Sequence, residues 1–229
     1  MKYVIMAKAG SKRVPLKNWR EFCDGQSLVD IAVEKLLKEG VKHRDIFIST
    51  ELDIPEQQEL RGSDIHFLAE DPYEAFDNDY PLTSTIREIV SKVPGDDDIA
   101  WCQVCDPLFD QYQEVFDKWV QVRDDHDSIC VVHPVKQYLL DPQYNPIGWQ
   151  FGEHHTPSQQ LPQMYQMPFT MSILKRETIE RFGYHIGGNC HFFESDGKHV
   201  DIDDKGDFEI ARLLYSQSRG STQAEWIQE

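Results

Sequence analysis

The 229-residue chain is short of positive charge: 23 Lys and Arg stand against 40 Asp and Glu, a formal net charge of −17. That balance excludes a general nucleic-acid binder, which needs cations spread along a phosphate backbone. It also opposes docking on an anionic membrane. Long hydrophobic runs are missing as well; the longest are strand-length, far below the ~20 residues that span a bilayer. The opening Met1–Ala7 run is too short for a signal peptide and meets Lys8, Lys12 and Arg13 at once, so it reads as a first strand. Cysteine is scarce: five residues, an odd number without framework spacing, point to a reducing cytoplasmic setting. No repeat, low-complexity tract or composition break divides the chain, so one domain over residues 1–229 is expected.

What is present is alternation. Strand candidates are Tyr3–Ala7, Ile46–Ser49, Ile65–Leu68, Ile99–Val104, Ser128–Val132 and Thr170–Leu174. Helical spacing links Leu28, Ile31, Ala32, Lys35 and Leu36 behind an N-cap at Ser27. Further helices are expected over Thr83–Val93, Tyr112–Arg123 and Gly206–Ser216. This pattern predicts an α/β fold, a mainly parallel Rossmann-like sheet flanked by helices. Ligands of such sheets sit beyond the carboxyl ends of the strands, which directs attention to the loops after Ala7, Ser49, Val104 and Val132. Residues 137–168 break the pattern with prolines and aromatics, and read as an irregular functional or interface arm. The polar tail after Arg219 reads as frayed.

The loop after the first strand, Lys8-Ala9-Gly10-Ser11-Lys12-Arg13-Val14-Pro15-Leu16-Lys17-Asn18, concentrates cations in an acidic protein. Small residues let backbone N–H groups converge, and Lys8, Lys12, Arg13 and Lys17 add charge-assisted donors, a combination suited to a polyphosphate. A solvated basic loop is the competing reading. The Gly-Lys-Ser/Thr ending of a Walker A loop is absent, and no helix opens at the loop as in a dinucleotide fingerprint.

With Ala7 in front, this segment resembles the N-terminal signature of the acylneuraminate cytidylyltransferase family, the CMP-sialic acid synthetases: Ala-Arg-x-x-Ser-Lys-x-x-Pro-x-Lys-Asn. Three more segments follow in the family's order. Ile46-Phe47-Ile48-Ser49-Thr50-Glu51 resembles Ile-x-Val-Ser-Thr-Asp, and Trp101–Leu108 stands in the place of Leu-Leu-Gln-Pro-Thr-Ser-Pro-Leu. Val200-Asp201-Ile202-Asp203-Asp204-Lys205-Gly206-Asp207-Phe208 resembles Ile-Asp-Ile-Asp-Thr-x-x-Asp-Phe.

The resemblance implies a nucleotide-diphospho-sugar transferase fold and a reaction in which a sugar or 2-keto sugar acid attacks the α-phosphate of CTP, releasing pyrophosphate. It implies that Lys8 and Lys12 act on the phosphates, with Ser11, Arg13, Lys17, Asn18 and Gln103 binding the nucleotide. Lys8 replaces the family's Arg, keeping the charge and losing the bidentate fork. Asp201 and Asp203 are implied to hold Mg²⁺. Their spacing of two puts both carboxylates on one face of an extended segment, while an acidic turn at a helix start is the plainer reading. Asp106 is a second-rank metal candidate, by analogy with related deoxyoctulosonate enzymes. Asp207 is expected to cap the following helix. Gln163 and Gln166 are the acceptor-site candidates, in a segment where the family's carboxylate-gripping Arg is absent. The arm is implied to cross a homodimer interface. Two alternatives stay open: a nucleotidyltransferase using another nucleotide and a sugar or polyol phosphate, and a catalytically silent nucleotide-binding relative.

Other constellations carry less. Cys102-x-x-Cys105 lacks a thioredoxin context and offers zinc too few ligands. His154 and His155 are adjacent, so on extended backbone their side chains point apart.

Overall fold

The computed structural model describes residues 1–50, 60, 63–69 and 82–220. Glu51 of the second motif and the tail beyond Gly220 lie outside them.

The fold grows around β1 (Lys2–Met6), whose residues alternate between two cores. Tyr3 and Ile5 face one apolar cluster and Val4 faces another, so both sides of the strand are buried and its apolar run is continuous. β1 pairs in parallel with β4 (Ile46–Thr50) and with β6 (Ile99–Gln103), and β4 pairs in parallel with β5 (His66–Ala69). On the other side β6 meets β9 (Met171–Leu174), β9 meets β7 (Ser128–Val135), and β7 meets β10 (Cys190–Glu194). β9 runs antiparallel to both its neighbours, and β8 (Met164–Gln166) adds to β7 antiparallel, so the sheet is mixed with mostly parallel strands.

Helices cover both faces. α1 (Leu28–Lys38) opens with a capping box: Ser27 Oγ accepts from Asp30 N–H while the Asp30 carboxylate accepts from Ser27 N–H at 2.8 Å. It buries Leu28, Ile31, Ala32 and Leu36 against the larger core. α3 (Tyr112–Val122) and α5 (Lys205–Ser218) pack on the same side through Val115, Trp119, Phe208 and Ala211. α2 (Leu82–Lys92) and α4 (Arg176–Phe182) cover the opposite face, with Ile86, Ile89, Val90 and Ile179 in the second core. Before α1, β2 (Glu21–Cys23) and β3 (Gln26–Ser27) form a hairpin turned by Asp24 and Gly25, both at positive φ, as a two-residue type I′ turn requires.

Residues 137–168 have little regular structure: β8, a bridge between Leu140 and Pro146, and single 3-10 turns at Gly152–His154 and Ser158–Gln160. The segment folds on itself: Trp149 Nε1 donates to Leu139 O at 2.8 Å, and Tyr138, Trp149, Phe151 and His155 form a ring cluster. No described helix is long and apolar enough to cross a membrane.

Candidate active site

The basic loop leaves the carboxyl end of β1 and is held from behind. Ala9 and Val14 are buried, and Trp19 Nε1 and Asn18 Nδ2 donate to the carbonyls of Ala7 and Lys8, each at 2.9 Å. Lys17 N–H and Trp19 N–H bond back to Val14 and Leu16. These bonds occupy carbonyls on the protein side and fix the loop over a cleft of about 370 Å³.

The cleft brings together Lys8, Ser11, Lys12, Arg13, Lys17, Asn18 and Gln103 from the expected nucleotide-binding set. Four of its lining residues are cations and none is an acid, in a chain of net charge −17. That concentration of one sign in a concave wall focuses a positive potential on an anionic ligand. The cleft is also lined by Met6, Leu82, Ile86 and His185, which the motifs do not include, and by Trp101, the first residue of the third motif. Trp101 and Gln103 share a face of β6, and Met6 is in register with Gln103, so strand alternation was the available signal. His185 stacks on Trp101 with ring centroids 5.8 Å apart and meets Ser172 Oγ through Nδ1 at 3.2 Å. Burial pushes its pKa down to about 4, so it is neutral near pH 7. Among the buried side-chain polar atoms of the cleft residues, Asn18 Oδ1 is an acceptor with no hydrogen-bond partner.

Asp201 and Asp203 flank Ile202, which is fully buried and anchors the segment through Ile202 N–H to Cys105 O at 2.9 Å. Two cleft cations reach across to it: Lys17 Nζ donates to Ile202 O at 2.5 Å, and Arg13 pairs with Asp203 at 2.6 Å. Burial pushes the Asp201 carboxyl up; Cys105 opposes this and the nearby Asp203 charge adds to it. Two crowded carboxylates beside a basic cleft supply the hard oxygen donors that Mg²⁺ takes, and a divalent cation would relieve their repulsion. The Arg13–Asp203 pair is mostly exposed, with side-chain exposures of 63% and 58%, and such pairs are worth about 1 kcal/mol or less. It is therefore a weak competitor for a cation. Asp207 accepts from the N–H groups of Asp203 and Asp204, both at 3.0 Å, while Asp204 caps α5, which fixes the acid pair ahead of a helix start.

The remaining expected residues lie elsewhere. Asp106 is not among the cleft-lining residues; its buried carboxylate meets Thr170, His133 and His199. Gln163 donates to Met164 O at 2.9 Å on the exposed arm, and Gln166 sits on β8, so neither lines the cleft. Cys102 and Cys105 are free thiols, and burial pushes both upward, Cys102 to about 12, the reverse of an activated redox pair.

No sequence-family model and no curated protein matches the chain. Solved structures do. CMP:2-keto-3-deoxy-manno-octonic acid synthetase, solved with CTP, superposes with a TM-score of 0.66 at 15% identity over 95% of this chain and 98% of its own. HddC from Yersinia pseudotuberculosis gives 0.61 at 14% identity, over 93% of this chain and 99% of its own. A Bacillus anthracis protein assigned as a glucose-1-phosphate thymidylyltransferase, in complex with sucrose, gives 0.63 at 12% identity over 93% and 94%. The chain has the nucleotide-diphospho-sugar transferase fold.

Proposed function

We propose that the chain is a sugar nucleotidyltransferase that uses CTP, transferring CMP to a sugar or 2-keto sugar acid with release of pyrophosphate. The observation that carries the reading is the acid-free basic cleft at the end of β1, bordered by Asp201 and Asp203. The acceptor hydroxyl attacks the α-phosphorus, the bond to the β-phosphate oxygen breaks, and pyrophosphate leaves. Charge changes in this transfer stay on phosphate oxygens, so positioning and cationic clamps supply most of the catalysis. Lys8 and Lys12 hold the triphosphate, and Ser11, Arg13 and Lys17 add donors along it. Gln103 and Asn18 line the nucleoside end of the cleft, where the nucleoside's apolar surface rests against Trp101 and Ile86. Asp201 and Asp203 are the residues that would hold Mg²⁺, which supplies neutralisation of phosphate charge when bound.

The arm exposes Tyr144 (80%) and Phe151 (63%), aromatics of the kind that interfaces bury. We propose a homodimer through this arm, which would carry Gln163 and Gln166 to the acceptor side of a neighbouring copy. The reading is tested by pyrophosphate release from each of the four nucleoside triphosphates against 2-keto sugar acids and sugar 1-phosphates. Release from CTP with a 2-keto sugar acid is expected. Release confined to another nucleotide and a sugar phosphate would keep the chemistry and overturn the substrate assignment. No release under any pairing, with nucleotide still bound, would leave a silent relative.

A further inference from the structure

We propose that Asp106, His133 and His199 form a second metal site, separate from the Asp201–Asp203 pair and selective for a zinc-class transition-metal ion. Among the described residues they are the one group of three His, Cys, Asp or Glu side chains with ligand atoms all within 4.8 Å of each other. Asp106 comes from the loop after β6, His133 from β7, and His199 from the segment leading into Asp201. Asp106 and His133 are buried and His199 is nearly so, with side-chain exposures of 0%, 5% and 11%.

The spacing fits a tetrahedral ion. Asp106 Oδ2 is 3.1 Å from His199 Nδ1 and 3.5 Å from His133 Nε2. Ligands about 2.1 Å from zinc lie about 3.4 Å from one another. Hydrogen bonding within the group accounts for only part of it. His199 Nδ1 donates to Asp106 Oδ2, but His133 Nε2 is a buried nitrogen with no hydrogen-bond partner. A buried imidazole nitrogen without a hydrogen bond, 3.5 Å from a carboxylate oxygen, calls for a ligand. Thr170 Oγ1 donates to Asp106 Oδ2 at 2.9 Å, the outer-shell bond that orients a ligating carboxylate. Two imidazoles and one carboxylate select zinc, cobalt or iron over Mg²⁺, which prefers oxygen. The rings stack with centroids 4.1 Å apart and planes 13° off parallel, so in-plane coordination by both requires them to fan apart. The site would join the loop behind Cys105 to the segment ahead of Asp201, fixing both borders of the cleft. It does not depend on the nucleotidyltransferase reading.

The test is a Co²⁺ titration of chelator-treated protein in excess Mg²⁺, read by visible absorption. The expected result is an intense low-coordinate d–d band that saturates at about one equivalent and is displaced by Zn²⁺. His133→Asn should abolish it, Thr170→Val should weaken binding about 10-fold, and an Asp201→Asn, Asp203→Asn double variant should leave it intact. Because His133 is buried and its variant can misfold, the wild-type titration is itself decisive. Absence of the band, or a thiolate-to-cobalt charge-transfer band marking a cysteine site, would overturn the proposal. So would a band that a folded His133→Asn variant retains, or one that the double variant loses.

Discussion

His185 is the cleft residue whose protonation the surrounding structure resists. It is neutral and buried against Trp101, and burial lowers its pKa from 6.5 to about 4. A depressed base pKa means that the unfolded chain binds the proton first. Its contribution is therefore intact above pH 6.5 and is lost as pH falls from there towards 4. The displacement is worth about 3 kcal/mol. Urea unfolding at pH 7 and pH 4.5 should show wild type losing more stability than His185→Asn, by a difference of that order. Equal losses would mean that His185 titrates normally. The loop cations make a separate prediction. A charge-assisted hydrogen bond is worth about 1.5–3 kcal/mol, so Lys12→Ala should weaken CTP binding about 10- to 100-fold. Lys8→Arg, which adds the bidentate fork, should not weaken it at all. Titration calorimetry of the two variants separates a phosphate-binding loop from a merely solvated one.

Among the elements, the start of α5 links stability to the site. Asp207 closes the capping box with Asp204 and also holds Asp203 N–H, so Asp207→Ala removes half of that box and loosens the acid pair together. Thermal unfolding should show a loss of about 1 kcal/mol. CTP affinity in Mg²⁺ should fall further than affinity measured without it. A stability loss with unchanged metal dependence would reduce Asp207 to a cap. The same element shows what was legible beforehand. α1 and α5 announce themselves through helical spacing and short acidic or hydroxyl caps, because these signals are local. β9 is predicted as a strand, but its antiparallel direction is not, since period-two burial carries no direction. α4, with seven residues, and β8, with three, are too short to show a period. β10 alternates only weakly at the sheet edge. The β2–β3 hairpin carries a readable turn signal in Asp24-Gly25, between strands too short to show alternation.

For the whole molecule, the contiguous basic loop was readable as a site because its cations are neighbours in sequence. The apolar lining of the cleft and the Asp106–His133–His199 group are not, because they assemble residues from separate strands, loops and a helix; Asp106 and His199 are 93 positions apart. The arm gives a prediction at this scale. Light scattering should report a dimer, and Tyr144→Asp with Phe151→Asp should shift it to monomer and depress acceptor turnover more than CTP binding. A monomeric wild type would remove the role proposed for Gln163 and Gln166. The central claim is that, in an acidic protein, the basic cleft with no acid in its lining takes a nucleoside triphosphate. Its most direct test is calorimetric titration of CTP, UTP, GTP and ATP, each with and without Mg²⁺. Metal-dependent binding selective for CTP is the predicted result, and failure to bind any of the four would contradict it.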